Sequence, residues 1–138
     1  MYHPPYIFNV AIMKRLAIFF TLFIIAIIVL ADMGILSRLL SFVYDVPYGD
    51  KAGHFILYGI LTLLIDLTIF EARPDPSSAL RTSRKLLAMK TGLILALLIG
   101  LEEFSQQFFA DRTFSLLDLT FSYLGVIVFS WLALKIKK

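Results

Sequence analysis

GDKAGHFILYGILTLLIDLTIF, residues 49–70, is the stretch whose reading decides the fold. From Ala52 onward it is apolar enough, and long enough, for a membrane crossing, which takes about 20 helical residues. A lone strand would leave backbone groups unpaired in lipid, so a helix is required. Yet the span begins with an acid, a base, an imidazole and a phenol: Asp50, Lys51, His54 and Tyr58. In an ideal helix, positions 51, 54 and 58 share an arc of about 60°. One polar stripe therefore descends from the mouth of the span. At ~1.5 Å per residue, Tyr58 lies about 6 Å deeper than His54.

Three other apolar runs stand beside this one. With their flanks, the expected spans are 15–33, 52–70, 86–106 and 115–134. The fold class expected is all-α: a polytopic membrane protein forming an antiparallel four-helix transmembrane bundle, one domain over 1–138. Composition agrees, with 59% hydrophobic residues and a mean hydropathy of +0.86, against about 45–50% apolar residues in soluble domains. Cysteine is absent, which excludes disulfides and thiolate metal ligands. The Pro- and Ser-bearing segment 72–85 reads as a loop.

Lysine and arginine set the orientation. Lys14, Arg15, Arg73, Arg81, Arg84, Lys85, Lys90, Lys135, Lys137 and Lys138 fall on one side, and only Arg38, Lys51 and Arg112 on the other. Both termini and the middle loop are expected in the cytoplasm, and the segments 32–51 and 102–114 outside. Residues 1–12 read as a short cytoplasmic lead. Lys14-Arg15, the apolar core and Val29-Leu30-Ala31 also have the layout of a cleavable secretory signal. The anchored form keeps four helices and is the reading adopted.

The polar residues gather at the outer level. Glu103 and Gln106 share a face if their helix continues, and Arg112 follows as the only cation of the short outer loop. Asp118, Ser122 and Gly125 form a stripe on the fourth span. Asp50, Lys51, His54, Tyr58, Glu103, Gln106, Arg112 and Asp118 are therefore the expected ligand-binding set, converging on one outward-facing cavity. Each has a simpler explanation taken singly. Lys51 snorkels, Tyr58 joins an aromatic belt, Arg112 pairs with Asp111 or Asp118, and Asp118 favours its helix N-terminus. Glu102 is expected only to mark the end of its span. On the other side, Asp66 and Lys90 are each about a turn inside and are expected to pair.

Taken together, D-K-x-x-H-x-x-x-Y (Asp50, Lys51, His54, Tyr58), E-x-x-Q (Glu103, Gln106), R-[ST]-F (Arg112, Thr113, Phe114), Asp118 and Gly125 resemble the VanZ-like family of small bacterial membrane proteins. The resemblance covers residues 50–125. The family often has Asn where this chain has Ser122. What the resemblance implies is a cell-envelope protein of the bacterial cytoplasmic membrane, in a family named for an association with resistance to the glycopeptide teicoplanin.

Two function classes follow. In the first, the cavity recognises an anionic lipid-linked or cell-wall-related ligand, or part of a glycopeptide, with Lys51 and Arg112 engaging the anion. In the second, a membrane enzyme acts on a lipid-linked phosphate or glycan, with His54 or Glu103 as general base and Arg112 stabilising charge. No serine-hydrolase elbow, HExxH zinc motif or phosphate-cradling glycine loop occurs. No cofactor or metal is expected, although carboxylates leave room for a divalent cation. The expected partners are membrane lipids and not nucleic acid, since the basic loop suits anionic headgroups. A third reading, a lipid transporter or a partner subunit, ranks below both classes and calls for oligomerisation, since four short spans make a thin transporter.

Overall fold

The computed structural model describes residues 9–72, 78–110 and 112–137, and every regular element among them is helical. Helix α1 is Val10–Asp32, followed by the short α2 (Ile35–Leu39) and α3 (Ser41–Tyr44). Then come α4 (Gly49–Glu71), α5 (Ser78–Ser105), a 3₁₀ turn (Gln106–Phe108) and α6 (Leu116–Ile136). Expectations placed on residues 1–8, Arg73, Asp111 and Lys138 lie outside the described residues. Polar caps fix two helix starts. The Asn9 side chain accepts from Ala11 N at 2.9 Å, and the Ser115 hydroxyl accepts from Asp118 N at 3.2 Å, each satisfying an otherwise orphaned amide.

Helices α1, α4 and α6 are long and apolar enough to cross a membrane. The chain is thus a multi-pass membrane protein with three such helices among the described residues, where four were expected. The correction falls on span 86–106. Lys90 and Glu102 bound an uncharged run of eleven residues there, so any crossing of ~20 residues by α5 includes charged side chains near its ends. The expected loop over 72–85 is shorter as well. Helix α5 begins at Ser78, past Pro74 and Pro76, because the helix-breaking ends with the prolines and good helix formers follow. The segment 32–51 is not a plain loop either, since α2 and α3 lie within it.

Helix α4 is the hub. It lies most closely along α6 and also touches α1 and α5. Small residues allow this approach. A Cβ at Gly125 would sit 2.3 Å from the Phe55 carbonyl oxygen, and one at Gly59 would meet the Phe129 ring at 2.4 Å. In lipid, helices associate through such packing and through interhelical hydrogen bonds rather than through a hydrophobic drive. Ile24, Tyr58, Leu61, Leu95, Ile99 and Val126 form one core cluster. Met13, Leu67, Phe70, Ala88 and Ala133 form a second, toward the other end.

Interhelical polar links add to the packing. Tyr123 Oη donates to the Ala96 carbonyl at 3.0 Å, and Ser130 Oγ donates to Asp66 Oδ2 at 2.6 Å. Bonds of this kind average about 0.6 kcal/mol in membrane proteins. The expected Asp66–Lys90 pair is not formed. Asp66 is fully buried beside Ser130 of α6 and Thr91 of α5, while Lys90, about 100° round α5 from Thr91, is exposed. At that same end, Lys137 pairs with Glu71 and Arg84 Nη1 donates to the Lys137 carbonyl at 2.7 Å. Three helices are tied there.

Candidate functional site

The opposite end of the bundle gathers the charges. Its geometry begins with a tight reversal before α4. Tyr48 has φ 62°, and a Cβ at Gly49 would lie 2.1 Å from the Val43 carbonyl oxygen. Glycine is needed there so that α3 can fold back under the start of α4. Asp50 and Lys51 consequently enter the first turn of α4, facing α6. Lys51 Nζ lies 2.8 Å from Asp50 Oδ2 and 3.1 Å from Asp118 Oδ1. One ammonium thus bridges two carboxylates and joins α4 to α6.

One turn deeper, His54 Nδ1 is 3.1 Å from Ser122 Oγ. Ser122 is fully buried, and its hydroxyl donates to the Asp118 carbonyl at 2.8 Å. A serine has a single proton to give, and the shorter bond takes it. His54 Nδ1 is therefore the donor to Ser122, an assignment inferred from the network. In the neutral ring, Nε2 is then left with a free lone pair. It faces Asp118 Oδ2 at 4.0 Å.

A second network lies between α4 and the end of α5. Tyr58 Oη donates to Glu102 Oε2 at 3.1 Å. Gln106 Nε2 donates to Glu102 Oε1 at 2.9 Å and to Glu103 Oε2 at 3.1 Å. Glu103 Oε1 accepts from Ser115 N at 2.8 Å, so this carboxylate pins the start of α6. Arg112 sits nearby, with Nη2 3.6 Å from Glu102 Oε1 and Nε 3.9 Å from Asp32 Oδ1. These distances are ion pairs rather than hydrogen bonds, so the guanidinium N–H donors are uncommitted among the described residues.

A chamber and a cleft meet at Asp50, His54 and Arg112. A polar chamber of ≈ 260 Å³ is walled by Ser37, Asp50, His54, Gln106, Arg112 and Asp118, with Ala31 and Thr113. An apolar cleft of ≈ 150 Å³ lies between α1, the α2–α3 segment and α4, lined by Ile24, Ile28, Leu36, Leu40, Val43 and Leu57. Asp50, His54 and Arg112 border both spaces. Tyr58 and Glu102 close the deep end of the cleft.

Five of the eight expected site residues, Asp50, His54, Gln106, Arg112 and Asp118, line the polar chamber, and Tyr58 lines the cleft. Lys51 and Glu103 line neither. Lys51 is held between two carboxylates, and Glu103 is fully buried with its oxygens bonded inside the fold. Glu102, expected only to mark a boundary, is instead the acid that meets Tyr58, Gln106 and Arg112. Asp32 is not among the expected site residues, and its tie to Arg112 has no signature in spacing. Ser122 is missed as the partner of His54, though its place three residues before Gly125 on one stripe was a usable signal. Among the described residues, no group of three His, Cys, Asp or Glu side chains is placed to hold a metal ion. Chemically, the chamber's lining offers guanidinium donors together with carboxylate and imidazole acceptors. No family model, no curated protein and no solved structure matches this chain.

Proposed function

We propose that this chain is a four-span protein of the bacterial cytoplasmic membrane, with both termini inside, whose outward-facing chamber recognises the phosphate-bearing headgroup of a lipid-linked envelope molecule. Helix α5 serves as the remaining crossing. Leu93 is 69% exposed and Leu97 65%, so its outer face is as apolar as that of a lipid-facing helix, while Lys90 snorkels at one end. The charge asymmetry of the termini and loops sets the orientation. The resemblance of residues 50–125 to VanZ-like proteins belongs to this reading, as does a contribution to glycopeptide resistance.

The single observation that carries the ligand reading is Arg112. It borders both spaces, and among the described residues its fork of N–H donors makes no direct hydrogen bond. A planar, permanently charged fork suits phosphate. Lipids copurified with the wild-type chain and with Arg112→Ala should differ on mass spectrometry, with a phosphate-bearing lipid depleted about tenfold or more in the variant, the effect of losing one charge-assisted contact. Unchanged lipid content removes the anchor. Recovery of a processed lipid instead of an intact one would favour acid–base chemistry, for which His54 Nε2 is the available base.

Orientation has its own test. The sequence has no cysteine, so Ser37→Cys places a single thiol on the chamber wall. It should react with a membrane-impermeant maleimide added outside intact cells. Labelling only after permeabilisation reverses the topology.

A further inference from the structure

The geometry points to a zwitterionic aminophospholipid as the ligand, with its phosphate on Arg112, its ammonium between His54 and Asp118, and the start of its acyl chain in the α1–α4 cleft. This rests on the preceding reading that the chamber takes a phosphate-bearing headgroup, and it specifies the rest of that ligand.

Charge is the first argument. Among the described residues, Asp32, Asp50, Glu102, Glu103 and Asp118 gather around two permanent cations, Lys51 and Arg112. Lys51 already joins two of the acids. A purely anionic headgroup would add a further negative charge to a cluster that has an excess of acids. A headgroup that carries an ammonium as well does not.

The acceptors supply the second argument. His54 Nε2 and Asp118 Oδ2 face one another at 4.0 Å. With the imidazole neutral, both are acceptors and neither satisfies the other. A nitrogen donor at an ordinary hydrogen-bond distance, about 2.8–3.0 Å, reaches both at once. Both residues are on the chamber wall. Arg112 is on the same wall, so phosphate and ammonium are received within one space.

The apolar cleft supplies the third. It shares Asp50, His54 and Arg112 with the chamber, so a molecule seated in the chamber has a greasy path continuing from it. Ile24, Ile28 and Leu57 line that path between α1 and α4. A free polar solute leaves the cleft empty, whereas a lipid fills both spaces.

Native mass spectrometry of the purified full chain tests this. The probes are phosphatidylethanolamine, phosphatidylglycerol and phosphatidic acid with identical acyl chains, and glycerophosphoethanolamine without chains. Phosphatidylethanolamine should bind roughly tenfold or more tightly than phosphatidylglycerol, the worth of one charge-assisted hydrogen bond. The chainless headgroup should be weaker by about fourfold for each methylene that the cleft buries. Asp118→Asn should bring phosphatidylethanolamine down to the level of phosphatidylglycerol. His54→Leu should do the same and serves if loss of the Lys51 contact unfolds the first variant. Equal binding of the two lipids to the wild type overturns the ammonium site, and equal binding of the chainless headgroup overturns the cleft. Binding of every phosphate lipid that is indifferent to Arg112→Ala instead overturns the phosphate reading beneath both.

Discussion

Gly125→Ala should force α4 and α6 apart and dissolve the site with them. Its new Cβ would stand 2.3 Å from the Phe55 carbonyl oxygen, 3.1 Å from the carbonyl carbon and 3.2 Å from Gly59 N. These are backbone atoms of a helix, so no rotamer change relieves the clash. The helices must separate by about an ångström to restore van der Waals contact. Overpacking of this kind costs about 1–3 kcal/mol. The His54–Ser122 bond and the Lys51–Asp118 pair lie one and two turns away along the same interface, and separation stretches both. A melting temperature lower by ~10 °C is expected in detergent, together with loss of copurified lipid. Gly53→Ala is the control for melting, since a Cβ there meets nothing within 4 Å and alanine favours helix. Equal melting of Gly125→Ala and the wild type would mean that the two helices are not in backbone contact.

The second large effect separates two neighbouring glutamates. Glu103 is fully buried and accepts from Ser115 N and from Gln106 Nε2. Glu103→Ala leaves the amide of Ser115 without a partner and halves the bonding of Gln106. Each buried donor left unpaired costs about 1–3 kcal/mol, so the loss should be about 2–4 kcal/mol, because Gln106 keeps its bond to Glu102. Ser115 caps α6, so limited proteolysis should open the α5–α6 connection first. Glu103→Gln retains one acceptor oxygen and should lose roughly half as much. Glu102→Gln should behave differently, leaving melting nearly intact while altering lipid retention, since Glu102 borders the cleft beside Arg112. Similar destabilisation by Glu103→Gln and Glu102→Gln would erase the division between a structural and a site carboxylate.

That division shows where reading along the chain reaches its limit. Adjacent residues on a helix differ by about 100° in direction, and α5 tightens into a 3₁₀ turn at Gln106. Spacing alone therefore could not tell which of Glu102 and Glu103 borders the cleft beside Arg112. The E-x-x-Q pattern favoured Glu103, and the two do share Gln106, but inside the fold. Lys51 is another such case. Its place on a stripe with His54 was legible, whereas its capture by Asp118, distant in sequence, was not.

By itself the sequence determined that the chain is helical and membrane-embedded, and where most of its polar residues cluster. Long apolar runs and their flanking charges are local properties, and transfer into lipid acts on each segment as a whole. Only the tertiary structure decided which side chains face each other: Ser122 toward His54, Asp32 toward Arg112, Asp66 toward Ser130 rather than Lys90. Those choices depend on helix rotation and separation, which close packing at Gly59 and Gly125 sets, and no single segment carries that information alone.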